Sequence, residues 1–255
     1  MKDLFKLDGK VAVVIGGAGG IGKACSLGLA SHGAILVLAS RNLAKLEETA
    51  AWIKAETGAQ AIGLQVDTTD EASIKKLADK VMERFGKVDI LVNTQGMNKK
   101  GPAVDFPAED WDQLFAANVK GVMLCCRVFG KIMIDQKRGK IINMSSVRGI
   151  RGTDGGNTAY GATKGAVDMI TRMLAAEWAP YGINVNAMAP SLVLTDTIKK
   201  AVAPERLEKL AASSLFKRLG TPEEMAGTCI FLASPASDFI TGQILYIDGG
   251  LTAVG

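Results

Sequence analysis

The chain has 255 residues, 48% of them hydrophobic, which is enough for a large core in one α/β domain or two small ones. Charged residues make up 22% and the formal net charge is +4, with acids and bases interspersed. Lys and Arg do not cluster in runs, so this is not the footprint of a nucleic-acid-binding protein.

Apolar stretches are strand-sized, and none is long enough to span a bilayer. The opening Met1–Lys6 lacks the apolar core of a secretory signal, which predicts a cytoplasmic protein. The four cysteines, Cys25, Cys125, Cys126 and Cys229, form no C-x-x-C pair and read as buried, reduced thiols. The single histidine, His32, falls at a helix end and reads as a partner of the helix dipole. A Ser-His-Asp triad or a histidine metal site is thereby disfavoured, and no metal is expected.

Taken in chain order, apolar runs alternate with amphipathic stretches. Strands are predicted at 11–15, 35–40, 61–66, 90–93, 140–144, 183–187 and 244–247, and helices near 21–32, 42–56, 70–85, 109–136, 158–180 and 222–233. Gly33, Gly58, Gly86 and Gly182 stand where C-terminal glycines belong. Thr221-Pro222-Glu223-Glu224 carries an N-cap, a first-turn proline and a capping-box acid. This alternation predicts a single α/β domain over 1–255, a Rossmann-like doubly wound parallel sheet of about seven strands with helices on both faces. The long segment 191–216 contains no strand and is expected to be a substrate lid.

Four constellations carry chemistry. Gly16-Gly17-Ala18-Gly19-Gly20-Ile21-Gly22 follows the first strand and opens the first helix, where glycines let the backbone approach a pyrophosphate. About 20 residues on, an NAD-binding chain would carry an acid for the ribose 2′-hydroxyl. This one has Ser40-Arg41-Asn42, and no acid until Glu47. A guanidinium matches a phosphate, so NADP(H) is favoured over NAD(H), with Arg41 on the 2′-phosphate and Ser40 assisting. Tyr160 and Lys164 lie four apart on a helix and share a face. A nearby cation would lower the pKa of the Tyr160 phenol, bringing it into range for exchanging a proton with a carbonyl or an alcohol. Ser146 follows the fifth strand, at the sheet edge where such folds bind ligands, and could fix a substrate oxygen beside Tyr160.

With these motifs in order, the chain resembles the classical short-chain dehydrogenases/reductases from about Leu7 to Gly250. The family's T-G-x-x-x-G-x-G appears as Ile15-Gly16-x-x-x-Gly20-x-Gly22, its N-N-A-G as Asn93-Thr94-Gln95-Gly96, and its Tyr-x-x-x-Lys as Tyr160 and Lys164. Its P-G-x-x-x-T matches Pro190 through Thr195, including Val193. Asp67 and Asn118 match the acid after the third strand and the helical asparagine. The resemblance implies that Gly16, Gly19, Gly20, Ile21, Gly22, Ser40 and Arg41 bind the dinucleotide. It adds Asp67, facing the adenine amino group, with Thr68, Asn93, Gly96, Pro190, Val193 and Thr195, and gives Tyr160 and Lys164 ribose contacts as well.

The implied reaction is hydride transfer between the nicotinamide and a small alcohol or ketone. Ser146 would clamp the substrate oxygen and Tyr160 would exchange the proton. Lys164 would bind the nicotinamide ribose and stabilise the phenolate, with Asn118 linking Lys164 to solvent through water. The family's pocket would be built from Gln95, Met97, Asn98, Arg148, Asn157 and the 191–216 lid. Lys99, Arg148 and Arg151 either make its mouth basic, suiting a sugar acid, or are solvated loop charges. The opening Asp3–Lys10 resembles the gluconate-type members. A 3-oxoacyl-thioester reductase is the rival, and a non-catalytic NADP-sensing or scaffold protein the alternative from another class. The resemblance also implies a homotetramer, with no nucleic-acid or membrane partner. Four positions depart from the pattern: Ile15 for Thr, Thr94-Gln95 for Asn-Ala, Ser191 for Gly and Asn184 for a common Arg.

Overall fold

The computed structural model describes residues 3–254, so the first two residues of the opening stretch read above lie outside it. Seven parallel strands, β1 (Val11–Ile15), β2 (Ile35–Ser40), β3 (Ala61–Gln65), β4 (Ile90–Asn93), β5 (Gly139–Met144), β6 (Ile183–Pro190) and β7 (Ile244–Ile247), form one sheet in the order β3-β2-β1-β4-β5-β6-β7. Side chains alternate across the sheet. Val11, Val13 and Ile15 of β1 enter one core, whereas Ala12 and Val14 enter the other.

The first core is closed by α3 (Glu71–Phe85), α5 (Gly121–Gln136) and α6 (Thr158–Trp178), through residues such as Leu77, Phe129 and Trp178. The second is closed by α1 (Gly20–Ser31), α2 (Leu43–Thr57) and α9 (Pro222–Ala233), through Leu29, Leu46 and Cys229. Both faces of every central strand are dry, which is why the strands read as unbroken apolar runs.

Small residues let the helices approach. A Cβ on Gly130 would stand 2.6 Å from the Trp178 ring, which packs α6 directly on the α5 backbone. Gly58 and Gly86 end α2 and α3 in the left-handed conformation, and the capping box at Thr221 forms with Glu224. His32 lies at the end of α1, its Nδ1 2.9 Å from the Gly28 carbonyl, as the dipole reading expects. All four cysteines are free and buried, and burial pushes the Cys126 thiol up to about 12.

Most boundaries fall within one residue of the sequence reading, and the larger differences are instructive. Strand β3 ends one residue early, at Gln65, and β6 runs on to Pro190. The helix expected at 158–180 stops at Trp178 and finishes as a 3-10 turn through Tyr181, because Pro180 has no amide to continue it. The stretch expected as one helix is α4 (Ala108–Phe115) continuing into α5 through a wide π turn at Ala116–Lys120. The segment 191–216 contains two short helices, α7 (Asp196–Ala201) and α8 (Pro204–Ala212). Among the described residues no helix is long and apolar enough to cross a membrane.

Candidate active site

The sheet order reverses between β1 and β4, and the crevice at their C-terminal ends is where doubly wound folds bind ligands. A groove of about 720 Å³ opens there, lined by the β1 turn, the ends of β2 and β3, the segment after β4 and the π turn. A cavity of comparable size, about 670 Å³, lies at the opposite edge among Lys10, Asp89, Arg138 and Lys140, and contains none of the expected site residues.

The glycine turn is built for close approach. Gly16 has φ +79°, and a Cβ on it would meet Thr94 Oγ1 at 2.7 Å. A Cβ on Gly22 would meet the Gly16 carbonyl at 2.3 Å. No side chain caps α1 and its first turn carries no acid, so its orphan amides at Gly20, Ile21 and Gly22 suit an anion. Thr195 stands over the turn, with its methyl 2.5 Å from where a Gly20 Cβ would be. Gly16, Gly19, Ser40, Arg41, Asp67, Thr68 and Gly96 all line the groove. So does Lys45, three residues past the Asn42 cap of α2, a helix whose first turn has no acid. These residues fit a dinucleotide phosphate. Asp67 is anchored by Thr69, whose amide and hydroxyl donate to its Oδ1 at 2.9 and 2.7 Å and hold the carboxyl below its usual range.

Three expected residues have other surroundings. The Asn93 side chain is fully buried and donates to Asn143 Oδ1 at 2.9 Å, tying β4 to β5 beneath the groove. Pro190 ends β6, and its carbonyl lies 3.4 Å from Ser146 Oγ. Val193 is buried and bridges Gly220 in parallel, anchoring the start of the 191–216 segment.

The chemical residues gather at the end of β5. Ser146 leaves the strand and its Oγ accepts from the Arg148 amide at 3.2 Å. Lys164 is buried on α6 and donates to the Met144 carbonyl at 2.7 Å, with its Nζ 5.5 Å from the centre of the Tyr160 ring. Burial pulls this ammonium down to about 8, against a smaller opposing pull from Asp168. The expected lowering of the Tyr160 phenol is corrected: burial raises it above the ordinary tyrosine value. Hydrogen bonding from Ser146 and the Arg148 charge oppose that rise, whereas Lys164 is turned towards Met144 instead of the phenol oxygen.

Asn118 sits in the π turn with its carboxamide fully engaged. Oδ1 accepts from the Met97 amide at 2.8 Å, and Nδ2 donates to Met97 O at 2.9 Å and Thr163 Oγ1 at 3.1 Å. The side chain therefore braces the loop after β4 against α6.

The basic mouth resolves unequally. Lys99 is ion-paired with Asp110, and Arg151 is held by the Leu251 carbonyl. Arg148 alone of the three exerts its charge on Tyr160, while one guanidinium nitrogen donates to Gly152 O at 3.1 Å. Asn98 donates to Asn157 at 3.1 Å, joining the two loops that flank the cleft.

Sequence reasoning missed Lys45, Gln113, Ala116 and Ala117 in the groove and the buried Asp168 behind Lys164. Lys45 was accessible as a second cation in a helix first turn; the others had no signal of their own.

A dinucleotide groove with a serine, a tyrosine and a lysine at its edge defines the class of NAD(P)-linked dehydrogenases and reductases. Comparison with known proteins agrees. A family model described as enoyl-(acyl carrier protein) reductase matches residues 16–252. The NAD-dependent glycerol dehydrogenase of Listeria innocua is 40% identical over 248 residues, 97% of this chain and 96% of that one. The gluconate 5-dehydrogenase of Gluconobacter oxydans is 36% identical over 251 residues, 98% of this chain and 97% of that one. A solved gluconate 5-dehydrogenase from Burkholderia cenocepacia, in complex with NADP and tartrate, superposes with a TM-score of 0.94 at 36% identity, covering 99% of each chain. This chain belongs to the short-chain dehydrogenase/reductase family, and it is an oxidoreductase.

Proposed function

We propose that the protein is an NADP(H)-dependent dehydrogenase that interconverts a secondary alcohol and a ketone on a small polyol or sugar acid. The observation that carries this reading is the meeting of Ser146, Tyr160 and Lys164 at the end of β5, beside a groove whose ribose end bears Ser40, Arg41 and Lys45. Two cations and a helix N-terminus without acids favour a 2′-phosphate. The named activities of the glycerol and gluconate dehydrogenase relatives support a polyhydroxylated substrate.

A bound nicotinamide dinucleotide supplies the hydride donor or acceptor. The chain's own residues do the rest. Ser146 Oγ donates to the substrate oxygen and orients it. Tyr160, a neutral phenol at ordinary pH, gives its proton to that oxygen in reduction and takes one back in oxidation. Lys164 holds a positive charge beneath the phenol and the ribose, and Asn118 fixes the wall between them. The 191–216 segment, hinged at the Val193–Gly220 bridge, closes the cleft against water. Exposed Met169 and Met173 on α6, with Trp111 on α4, support self-association into the expected homotetramer.

Fluorescence titration with NADPH and NADH in parallel, followed by turnover of D-gluconate, glycerol, D-threitol and a 3-oxoacyl thioester, tests this. Tighter NADPH binding with turnover of a polyol or sugar acid supports it. Preferred reduction of the thioester replaces the substrate reading, and cofactor binding without turnover of any of them points to a sensing or scaffold role.

A further inference from the structure

Asp168 is a buried carboxylate that the mechanism above leaves unused. It lies on α6 one helical turn beyond Lys164, and only 4% of it is exposed. Its Oδ2 is wedged against the turn that follows Ser146: a methyl on Gly149 would stand 2.5 Å from it. Its Oδ1 is buried without a hydrogen-bond partner. Burying a carboxylate in this way is costly unless a positive charge balances it.

The groups that face it come from three elements. Ser145, just past β5, lies beside it with its hydroxyl turned to the Lys164 carbonyl at 3.4 Å; Lys164 and Arg172 share its helix; Tyr246 of β7 feels its charge together with that of the neighbouring Asp248. Lys164 is the complementary case, an ammonium 3% exposed whose hydrogen-bond acceptor is a neutral carbonyl, Met144 O. Residues four apart on a helix share a face, and the two charges attract through the water-excluded interior without forming a direct ion pair; burial raises the Asp168 carboxyl above its usual range, and the Lys164 charge opposes that rise.

We propose that Asp168 is a positioning residue for the proton-transfer pair: its carboxylate keeps Lys164 an ammonium and, packed against Gly149, pins the turn bearing Ser146 to α6. Burial alone drives Lys164 towards the neutral amine, and the Asp168 charge opposes that drive. Without it, Lys164 loses its proton at lower pH. The proposal rests on the reading of Lys164 as a member of the active site, so its test is made independent of turnover.

Protein labelled with ¹³C-lysine is titrated by NMR, the Lys164 signal being assigned by its loss in Lys164→Arg. The wild-type midpoint is expected near 8. In Asp168→Asn it is expected lower by roughly one pH unit. Asp168→Ser removes the same charge with a smaller side chain and serves if Asp168→Asn does not fold. An unmoved midpoint overturns the proposal, even if stability and turnover both fall, because a merely structural carboxylate would produce that pattern. Reduction of 5-keto-D-gluconate with NADPH gives a second readout, its alkaline limb moving with the NMR midpoint. Absence of that activity in the wild type would count against the proposed substrate, and the NMR midpoint would still decide the role of Asp168.

Discussion

The hydroxyl of Thr94, on the segment after β4, donates to the carbonyl of Ile15 at the end of β1 across 2.7 Å. Ile15 has no hydroxyl to brace the glycine turn, and Thr94 supplies the brace from the neighbouring strand. Its Oγ1 also fills the space beside Gly16 and Gly22 that any Cβ there would occupy. Thr94→Val is expected to weaken NADPH binding a few-fold, roughly the worth of one neutral hydrogen bond, since the Ile15 carbonyl still accepts from the Thr94 amide at 2.9 Å. Thr94→Ser should bind like the wild type. Equal affinity for all three proteins in a fluorescence titration would show that the turn holds its shape unaided.

Tyr160→Phe removes the hydroxyl proposed to exchange a proton with the substrate oxygen. Turnover is expected to fall by roughly 10²–10⁴-fold, the usual contribution of a positioned acid–base group. NADPH affinity should stay within a factor of a few, since Lys164 keeps its bond to Met144 O. Steady-state kinetics alongside the binding titration check both halves, and wild-type turnover in this variant would remove Tyr160 from the mechanism.

Arg41→Asp places an acid at the start of α2, where the helix dipole favours it, so stability should not suffer. NADPH affinity is expected to drop by about 10–100-fold, from the loss of a charged hydrogen bond, while NADH affinity holds or improves. Lys45→Ala should give a smaller loss of the same sign. An unchanged ratio of the two affinities in Arg41→Asp would dismiss the phosphate reading of the groove.

In the proposed mechanism, ketone reduction needs the Tyr160 phenol and the Lys164 ammonium together. Burial raises the phenol above its ordinary value, so it stays protonated throughout the working range. Lys164 titrates at about 8, and its charge is present below that pH and lost above it. The rate at saturating NADPH is therefore expected to be flat from about pH 6 to 7.5 and to fall about tenfold per unit well above 8. A limb that appears only above pH 10 would mean that the ammonium survives in the working enzyme or is not required.

Much of the cofactor site was legible because it is local. A glycine run between a strand and a helix, and an arginine where an acid is usual, are adjacent in sequence and carry their chemistry there. Tyr160 and Lys164 were legible because four residues is one helical turn. The wide turn that swings Asn118 inward had no such signal, since its partners Met97 and Thr163 lie tens of residues away in the sequence. The pairing of Lys99 with Asp110 was equally hidden, because nothing local says that a loop lysine and a helix acid will meet.

The sequence by itself therefore determined the doubly wound architecture, the glycine turn and the candidate site side chains, all of which follow from short-range periodicity and residue chemistry. Only the tertiary structure decided their states. Burial, which depends on the helices and strands packed around each group, sets the proton affinities of Tyr160 and Lys164 and reverses the expectation for the tyrosine. Long-range pairing decided that Thr94 braces Ile15, that the Asn118 side chain ties the loop after β4 to α6, and that Arg148 is the cation acting on Tyr160. These are contacts between segments tens of residues apart, and they exist only once the sheet has brought its strand ends together.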